Sequence, residues 1–534
     1  MSVAQLAALR APPKFPARAA RLSLAVGLAS LAYVFWRFLV IAASAIRSPY
    51  QRDYGEGIVW QQMRLMFDGK GYGPIDGFPA IVFHYPPVYH ATVEALTLAT
   101  GFDPLLLGRA VSLVSALACL LFVALIAARI GRPVHERSVA LFSGVFAALA
   151  VINLPLVQTW ALVMRVDMLA IALSLGGIWL GIRAIARPAA VYASAICFVA
   201  AFFTKQTSIA APFAVFAALL LVRPAVAWRG IALGIVLGLA VLLSLFIVTD
   251  GGIFRHLVLY NINRFDAASL GIVPVIIERH LLFFGAVAFG IAQVVKQLWR
   301  TYPRKLSWAE ARAKLAQRPN DAAALIVVLY FLAKTAMNLL VAKSGANANY
   351  LMEWMIAGAI FIGPAVSSAV ACAAGKRDAR AWPSILVPIA LSIPALAIAV
   401  TPPPTRVAAA RQHRRELDQL SASVRAADRP VISDDMVMLL RSGKEVLWEP
   451  AIFGELASTG AWDERPFVKL IRQQHFGFFV TEGDHGDPQF DSRYTPAVDA
   501  AIEQAYPRRC RLAGYVIHLP LSPQATPAGC RPIS

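Results

Sequence analysis

The chain has 534 residues, of which 58% are hydrophobic and only 15% are charged, and its formal net charge is +19. Soluble proteins carry about 45–50% apolar and about 25% charged residues, so this composition excludes an ordinary soluble domain. Because the apolar residues form runs of about 20, the sequence predicts a polytopic α-helical membrane protein.

The first apolar run covers residues 22–46 and follows a basic segment, residues 1–21, that contains no acid. The run is too long for the core of a signal peptide, and no small-residue cleavage pattern follows it. We therefore expect an uncleaved first span with the N-terminus in the cytoplasm.

Residues 47–103 form the loop after this span, and we predict that it is structured and lies outside the cytoplasm. Apolar residues recur in it at helical spacing, with Gln61 and Gln62 off the apolar stripe, which indicates an amphipathic helix on the membrane surface. The stripe consists of Val59, Met63, Met66 and Phe67.

Ten more apolar runs follow, which gives about eleven spans and places the C-terminus opposite the N-terminus. The runs cover residues 104–128, 139–157, 168–185, 190–204, 207–222, 230–249, 278–298, 322–341, 350–371 and 384–401. The pair 190–204 and 207–222 is short, so a broken hairpin that reaches only part-way stays open as an alternative.

The positive charge follows this topology. The loops assigned to the cytoplasm hold about twice as many Lys and Arg residues as the opposite loops, as the positive-inside rule requires. The net charge is thereby explained without a nucleic-acid partner.

Residues 402–534 are more charged, and their short apolar segments alternate between strand and helix patterns, which predicts a small α/β domain. Strands are expected near residues 431–432, 478–480 and 515–517, and helices at 464–475 and 496–506. If this domain is periplasmic, its two cysteines, Cys510 and Cys530, are expected to form a disulfide.

Acids, cations and amides gather at the predicted outer ends of the spans. Arg and Lys pair strongly with phosphate oxygens, and a carboxylate can take a proton from an attacking hydroxyl. Together these groups favour transfer of a group from a phosphorylated lipid. The set comprises Asp53, Glu56, His84, Tyr85, Arg165, Asp167, Lys205, Arg255, Arg264, Lys343, Asn347, Asn349 and Tyr350.

Each of these residues also has a plainer interpretation. Asp53 and Glu56 fit solvent-facing loop acids, and Arg165 and Asp167 fit a snorkelling cation and a helix cap. His84 fits an interfacial histidine better than a zinc ligand, because no His, Cys or Asp cluster has zinc spacing.

The order of several motifs resembles the GT-C superfamily of membrane glycosyltransferases, and is similar to protein O-mannosyltransferases and lipid A aminoarabinose transferases. The motifs are Asp53-Tyr54-Gly55-Glu56, Gly69-Lys70-Gly71-Tyr72, Tyr85-Pro86-Pro87-Val88-Tyr89, Arg109, Arg165-Val166-Asp167, Phe203-Thr204-Lys205 and Asn347-Ala348-Asn349-Tyr350-Leu351-Met352-Glu353. The sequence departs from the aminoarabinose enzymes at His84-Tyr85, where they carry Glu and Lys.

The resemblance implies an inverting transfer from a polyprenyl-phosphate sugar to a cell-envelope acceptor, with Asp53 as catalytic base. Glu56 and Asp167 are the other two acids of the predicted catalytic set. Lys205, Arg255 or Arg264 is expected to hold the donor phosphate. The substrate-binding set also includes His84, Tyr85, Arg165, Lys343, Asn347, Asn349 and Tyr350. No cofactor or metal ligand is assigned, and a divalent metal is left open.

We therefore predict a glycosyltransferase of the bacterial inner membrane with a periplasmic active site. A flippase of lipid-linked sugars is the alternative, although transporters often show matched halves and the sequence shows no internal repeat. A receptor that is merely anchored is a third class, but it needs neither so many spans nor cations within them.

Overall fold

The computed structural model describes residues 14–131, 137–261, 264–303, 305–343, 346–374, 382–400, 407–521 and 526–533. Most of the predicted N-terminal cytoplasmic segment and the predicted domain boundary at residues 401–402 lie outside these ranges.

The described part of the first 400 residues consists mainly of helices. In chain order the helices are α1 (Lys14–Ala45), α2 (Gly55–Phe67), α3 (Val88–Thr100), α4 (Pro104–Ile130), α5 (Arg137–Ile152), α6 (Pro155–Trp160), α7 (Asp167–Ala184), α8 (Ala190–Phe202), α9 (Ala210–Val222), α10 (Pro224–Val248), α11 (Gly252–Leu257), α12 (Ile272–Arg279), α13 (Leu281–Thr301), α14 (Trp308–Gln317), α15 (Pro319–Met337), α16 (Asn349–Ala359), α17 (Ile362–Ala373) and α18 (Trp382–Val400).

Within the described ranges, seven helical segments are long and apolar enough to cross a membrane. Four shorter apolar helices, α5, α8, α9 and most of α18, lie at the remaining predicted positions. The seven longer segments are Ala17–Ala45, Pro104–Ile130, Asp167–Ala184, Pro224–Val248, Leu281–Thr301, Pro319–Ala342 and Asn349–Ala373. Each predicted run thus coincides with an apolar helix, and the chain is a multi-pass membrane protein.

The start of α4 shows how local sequence sets these boundaries. Pro104 occupies the first turn, where its missing N–H group costs nothing. The side chain of Asp103 accepts a hydrogen bond from the backbone N–H of Leu106 at 3.0 Å and caps the helix. This cap fixes the point at which the chain enters the bundle from the first loop.

The predicted helix of the first loop is α2, but it is buried rather than a surface helix. Gln61 and Gln62, predicted on its polar face, are only 1% and 0% exposed. The Nε2 of Gln62 donates to the carbonyl of Val82 at 2.7 Å. The prediction was wrong for these two glutamines because the C-terminal segment covers this side of α2: a Cβ on Gly57 would lie 2.5 Å from Cβ of Met436. Arg64 and Asp68, which also lie off the apolar stripe, are exposed.

The C-terminal segment begins with a helix and builds a five-stranded sheet. Its helices are α19 (Val407–Ala426), α20 (Met436–Arg441), α21 (Pro450–Ser458), α22 (Arg465–Arg472), α23 (Pro488–Asp491) and α24 (Pro496–Ala505), and its strands are β1 (Ile432–Ser433), β2 (Phe479–Thr481), β3 (Arg508–Leu512), β4 (Tyr515–Leu519) and β5 (Arg531–Pro532). The strand order is β1-β2-β4-β3-β5, with β1 and β2 parallel and the other pairs antiparallel. The predicted fold class, a helical membrane protein with a small C-terminal α/β unit, is confirmed.

The first loop and the C-terminal segment pack as one body. Two hydrophobic cores contain residues from both, for example Ile81 with Ile517, and Val82 with Phe479. The backbone N–H of Ala80 also donates to the carbonyl of Leu447 at 2.8 Å. Although the two segments lie far apart in sequence, their shared cores hold them together over the ends of the membrane helices.

In the C-terminal sheet, Cys510 of β3 and Cys530, just before β5, form a disulfide. The three other cysteines, Cys119, Cys197 and Cys372, are free.

Candidate active site

A cavity of about 530 Å³ lies where the first loop, the ends of the membrane helices and the C-terminal segment meet. Most of the predicted substrate-binding residues line it, and they come from four different connections along the chain. These residues are His84, Tyr85, Arg165, Lys205, Lys343, Asn347, Asn349 and Tyr350. The alternation of membrane spans therefore brings them to one site.

Asp53 lies beside this cavity, between the lining residues Gly55 and Arg165. Its Oδ1 accepts a hydrogen bond from the backbone N–H of Gly55 at 3.0 Å and lies 3.3 Å from Nη1 of Arg165. The side chain is 23% exposed, and in the described part of the chain no hydrogen bond is made to its Oδ2. One oxygen is therefore held in place and the other has no hydrogen-bond donor among the described residues, although Asp53 itself does not line the cavity.

Gly55 makes this arrangement possible. A Cβ at this position would lie 1.3 Å from Nη1 of Arg165, so any side chain would displace the guanidinium group. The glycine in the Asp-Tyr-Gly-Glu motif is thus needed for the close approach of Arg165 to Asp53.

Asp167, the first residue of α7, holds a cation and an amide at the cavity wall. Its Oδ1 accepts hydrogen bonds from Nζ of Lys205 at 2.6 Å and from Nδ2 of Asn349 at 2.9 Å. The Lys205 ammonium also lies 4.7 Å from the centre of the Tyr350 ring. Asp167 is 2% exposed, so its ion pair with Lys205 is buried.

Arg165 bridges the two acids. Its Nη1 lies 3.3 Å from Asp53 and its Nε lies 4.0 Å from Oδ2 of Asp167, while its Nη2 donates to the Tyr85 hydroxyl at 3.3 Å. The Nε of Arg165, Oδ2 of Asp167 and Oδ1 of Asn349 are buried without a hydrogen-bond partner. Such groups are normally satisfied by water or a ligand, so this wall of the cavity can bind a polar ligand.

These residues do not fit a divalent metal as they are arranged. The positive guanidinium group of Arg165 occupies the space between Asp53 and Asp167, where a metal would compete with it for both carboxylates. Across the residues that the structure describes, no group of three or more His, Cys, Asp and Glu side chains is placed to hold a metal ion.

Lys343 and His84 lie near each other on the cavity wall and differ in charge. Burial lowers the pKa of Lys343 to about 8, and its ammonium donates to Oδ1 of Asn261. Burial and the nearby cations Lys343 and Arg165 lower the pKa of His84 to about 3. His84 is therefore neutral and offers a polar contact, whereas Lys343 carries most of its charge at neutral pH.

Glu56 has no open position for a substrate, in contrast to its predicted place among the catalytic acids. It is fully buried, and its two oxygens accept hydrogen bonds from Nε and Nη2 of Arg109, both at 2.7 Å. The backbone N–H groups of Arg52 and Met164 donate to it as well, at 2.7 and 2.9 Å. The remaining donors of Arg109 reach carbonyls at the end of α1 and in the first loop. The pair therefore joins several backbone segments beneath the site.

Arg255 and Arg264, predicted to hold the donor phosphate, do not line the cavity. Arg264 is 65% exposed in its side chain and lies 3.4 Å from Glu455. Arg255 is exposed on α11 because the neighbouring His256 fixes that helix against the first loop. The His256 ring accepts from the N–H of Phe83 at 3.1 Å and donates to the carbonyl of Gly73 at 2.7 Å.

Three charged residues of the cavity were missed by the sequence analysis, Glu449, Glu455 and Arg493. All three belong to the C-terminal segment. The guanidinium group of Arg493 lies 4.0 Å above the Tyr54 ring and pairs with Asp434 and Glu482, both at 3.1 Å. No local pattern could have found them, because only the packing of the C-terminal segment on the first loop brings them to Asp53.

Comparison with known proteins gives matches at the level of structure. No protein-family model and no curated protein matches the sequence. ArnT from Cupriavidus metallidurans, solved bound to undecaprenyl phosphate, aligns over 94% of this chain and 99% of its own, with 13% identity and a TM-score of 0.55. The apo state of the same protein aligns over 91% and 98%, with 14% identity and a TM-score of 0.50.

The oligosaccharyltransferase of Archaeoglobus fulgidus, in its apo form, aligns over 96% of this chain and 76% of its own, with 10% identity and a TM-score of 0.53. ArnT is a lipid A aminoarabinose transferase, and both proteins are GT-C glycosyltransferases. The expected architecture is therefore confirmed, and the chain has the GT-C fold.

Proposed function

We propose that this protein is an inverting glycosyltransferase that moves a sugar from a polyprenyl-phosphate donor to a hydroxyl group of a cell-envelope acceptor, a lipid, polysaccharide or protein. The active site would lie on the periplasmic face of the bacterial inner membrane. One observation carries the proposal: a carboxylate with a free oxygen, Asp53, lies beside a cavity lined by the cations Arg165, Lys205 and Lys343.

The cations of the cavity would bind the phosphate of the donor. A phosphodiester between a lipid and a sugar needs positive charge at its oxygens, and that need increases as the sugar leaves. Arg165 is held by Asp53 and Lys205 by the buried Asp167, so both cations are already oriented before a donor binds. ArnT, which has the same fold, was solved with undecaprenyl phosphate, and this supports a polyprenyl phosphate as the lipid part of the donor.

Asp53 would activate the hydroxyl group of the acceptor. Its free Oδ2 would take the proton of the acceptor hydroxyl while the hydroxyl oxygen attacks C1 of the sugar. The bond between C1 and the phosphate oxygen breaks, and its electron pair leaves with the polyprenyl phosphate. In this step Asp167 acts as a positioning residue, because it contacts Lys205 and Asn349 instead of the reacting atoms.

The test is a transfer assay with the purified full-length protein in liposomes and a pool of polyprenyl-phosphate sugars. We expect sugar to leave the lipid, and we expect Asp53→Asn to reduce the rate by about 100- to 10,000-fold, the usual contribution of a general base. Asp76→Asn changes an exposed acid of the same loop and is expected to leave the rate unchanged.

Two results would contradict the proposal. Full activity in Asp53→Asn would remove Asp53 as the base. Movement of the lipid-linked sugar across the bilayer without its release would favour the flippase alternative.

A further inference from the structure

Glu449 is an acid of the cavity that the mechanism above leaves unused. It directly precedes Pro450, the first residue of α21, and its backbone is extended, with φ −106° and ψ 109°. A residue in this position often caps the helix through its side chain, but Glu449 makes no such hydrogen bond. The N–H of Ala451 instead donates to the hydroxyl of Tyr54 at 3.3 Å.

The Glu449 carboxyl group is therefore free to contact a ligand in the cavity. The residue is only 5% exposed, it lines the cavity, and its Oε2 is buried without a hydrogen-bond partner. Leaving a buried polar atom unpaired is unfavourable, so a fold that keeps such an atom at a cavity wall is expected to satisfy it with a ligand.

The chemistry of the Glu449 carboxyl group limits which part of the substrate it can bind. A carboxyl group disfavours the donor phosphate, which the cations Lys205 and Lys343 on the membrane side of the cavity would bind. Hydroxyl groups of a sugar are its natural partners, since they both donate and accept hydrogen bonds. Burial raises the pKa of Glu449 to about 8, against the opposing effect of Arg165 and Arg493. At neutral pH the carboxyl group is therefore mostly protonated, and it can both donate and accept a hydrogen bond.

We propose that Glu449 is a substrate-binding residue that the C-terminal segment contributes to the active site, and that its carboxyl group hydrogen-bonds hydroxyls of the sugar being transferred. This inference rests on the proposed function. It gives the C-terminal segment a direct part in recognising the donor, beyond covering the first loop.

The experiment compares two ligands, the sugar-bearing polyprenyl-phosphate donor and polyprenyl phosphate without sugar, on the full-length protein. We expect Glu449→Ala to weaken binding of the sugar-bearing donor and to raise its KM about tenfold, as for one lost hydrogen bond to a buried group. Glu449→Gln, which keeps a donor and an acceptor, is expected to change KM by less than about threefold. Binding of sugar-free polyprenyl phosphate is expected to stay unchanged in both variants. Glu503→Gln, an exposed acid of α24, is the matched control.

Several outcomes would overturn the inference. Equal weakening of both ligands in Glu449→Ala would mean that the residue merely maintains the cavity, and an effect on the acceptor KM alone would place it at the acceptor. An unchanged donor KM in an active Glu449→Ala protein would remove the contact while leaving the proposed function intact. A wild-type protein that transfers no sugar would instead overturn the proposed function itself.

Discussion

Lys343 differs from the other cavity cations because its charge changes close to neutral pH. Burial lowers its pKa to about 8, so the ammonium is charged below that pH and is lost above it. If Lys343 binds the donor phosphate, donor KM should increase roughly tenfold as pH rises through 8, since charge-assisted hydrogen bonds are worth about 1.5–3 kcal/mol. Kinetics between pH 6.5 and 9.5 measure this directly.

Lys343→Arg separates this effect from the titration of Glu449. Arginine stays charged throughout this range, whereas Glu449 also has a pKa of about 8 and becomes negative as the pH rises, which would weaken phosphate binding as well. We expect Lys343→Arg to reduce the increase in donor KM and Lys343→Arg/Glu449→Gln to remove it. A profile that is identical in wild type and Lys343→Arg would show that Lys343 does not bind the donor.

The Glu56–Arg109 pair connects secondary-structure elements, because it joins α2 and α4 to the end of α1. Removing one partner of a buried pair typically costs about 3–5 kcal/mol, since the other charge is left uncompensated. We therefore expect Glu56→Gln and Arg109→Ala to lower the unfolding temperature markedly in detergent. Arg64→Ala, which removes an exposed cation of α2, is expected to have little effect.

Activity distinguishes this structural role from the catalytic role that the sequence predicted for Glu56. The folded fraction of Glu56→Gln should keep its kcat within a few-fold of wild type, because both oxygens of Glu56 are already bonded to protein donors. A loss of kcat comparable to that of Asp53→Asn, with normal stability, would return Glu56 to the catalytic set.

The membrane helices could be predicted from the sequence because a span must be apolar over its whole length, and this signal is local. Their alternation also placed Arg165, Lys205 and Lys343 on one side. The positions of individual side chains could not be predicted in the same way: Arg255 and Arg264 do not line the cavity. Strand β3 was missed because its sequence, Arg508-Arg509-Cys510-Arg511-Leu512, is mostly charged and shows no continuous apolar run.

For the molecule as a whole, the disulfide provides a chemical test of the predicted membrane topology. If each of the eleven apolar helices in the described part of the chain spans the membrane, the C-terminal segment lies opposite the N-terminus. With the N-terminus in the cytoplasm, as the loop charges predict, the C-terminal segment would lie in an oxidising compartment. Unreduced, denatured protein should then show three free thiols, Cys119, Cys197 and Cys372, and all five cysteines after reduction. Cys510→Ser should expose Cys530 and add one free thiol to the unreduced count. Five free thiols in unreduced wild type would show that Cys510 and Cys530 stay reduced in the cell, and would argue for a C-terminal segment in the cytoplasm.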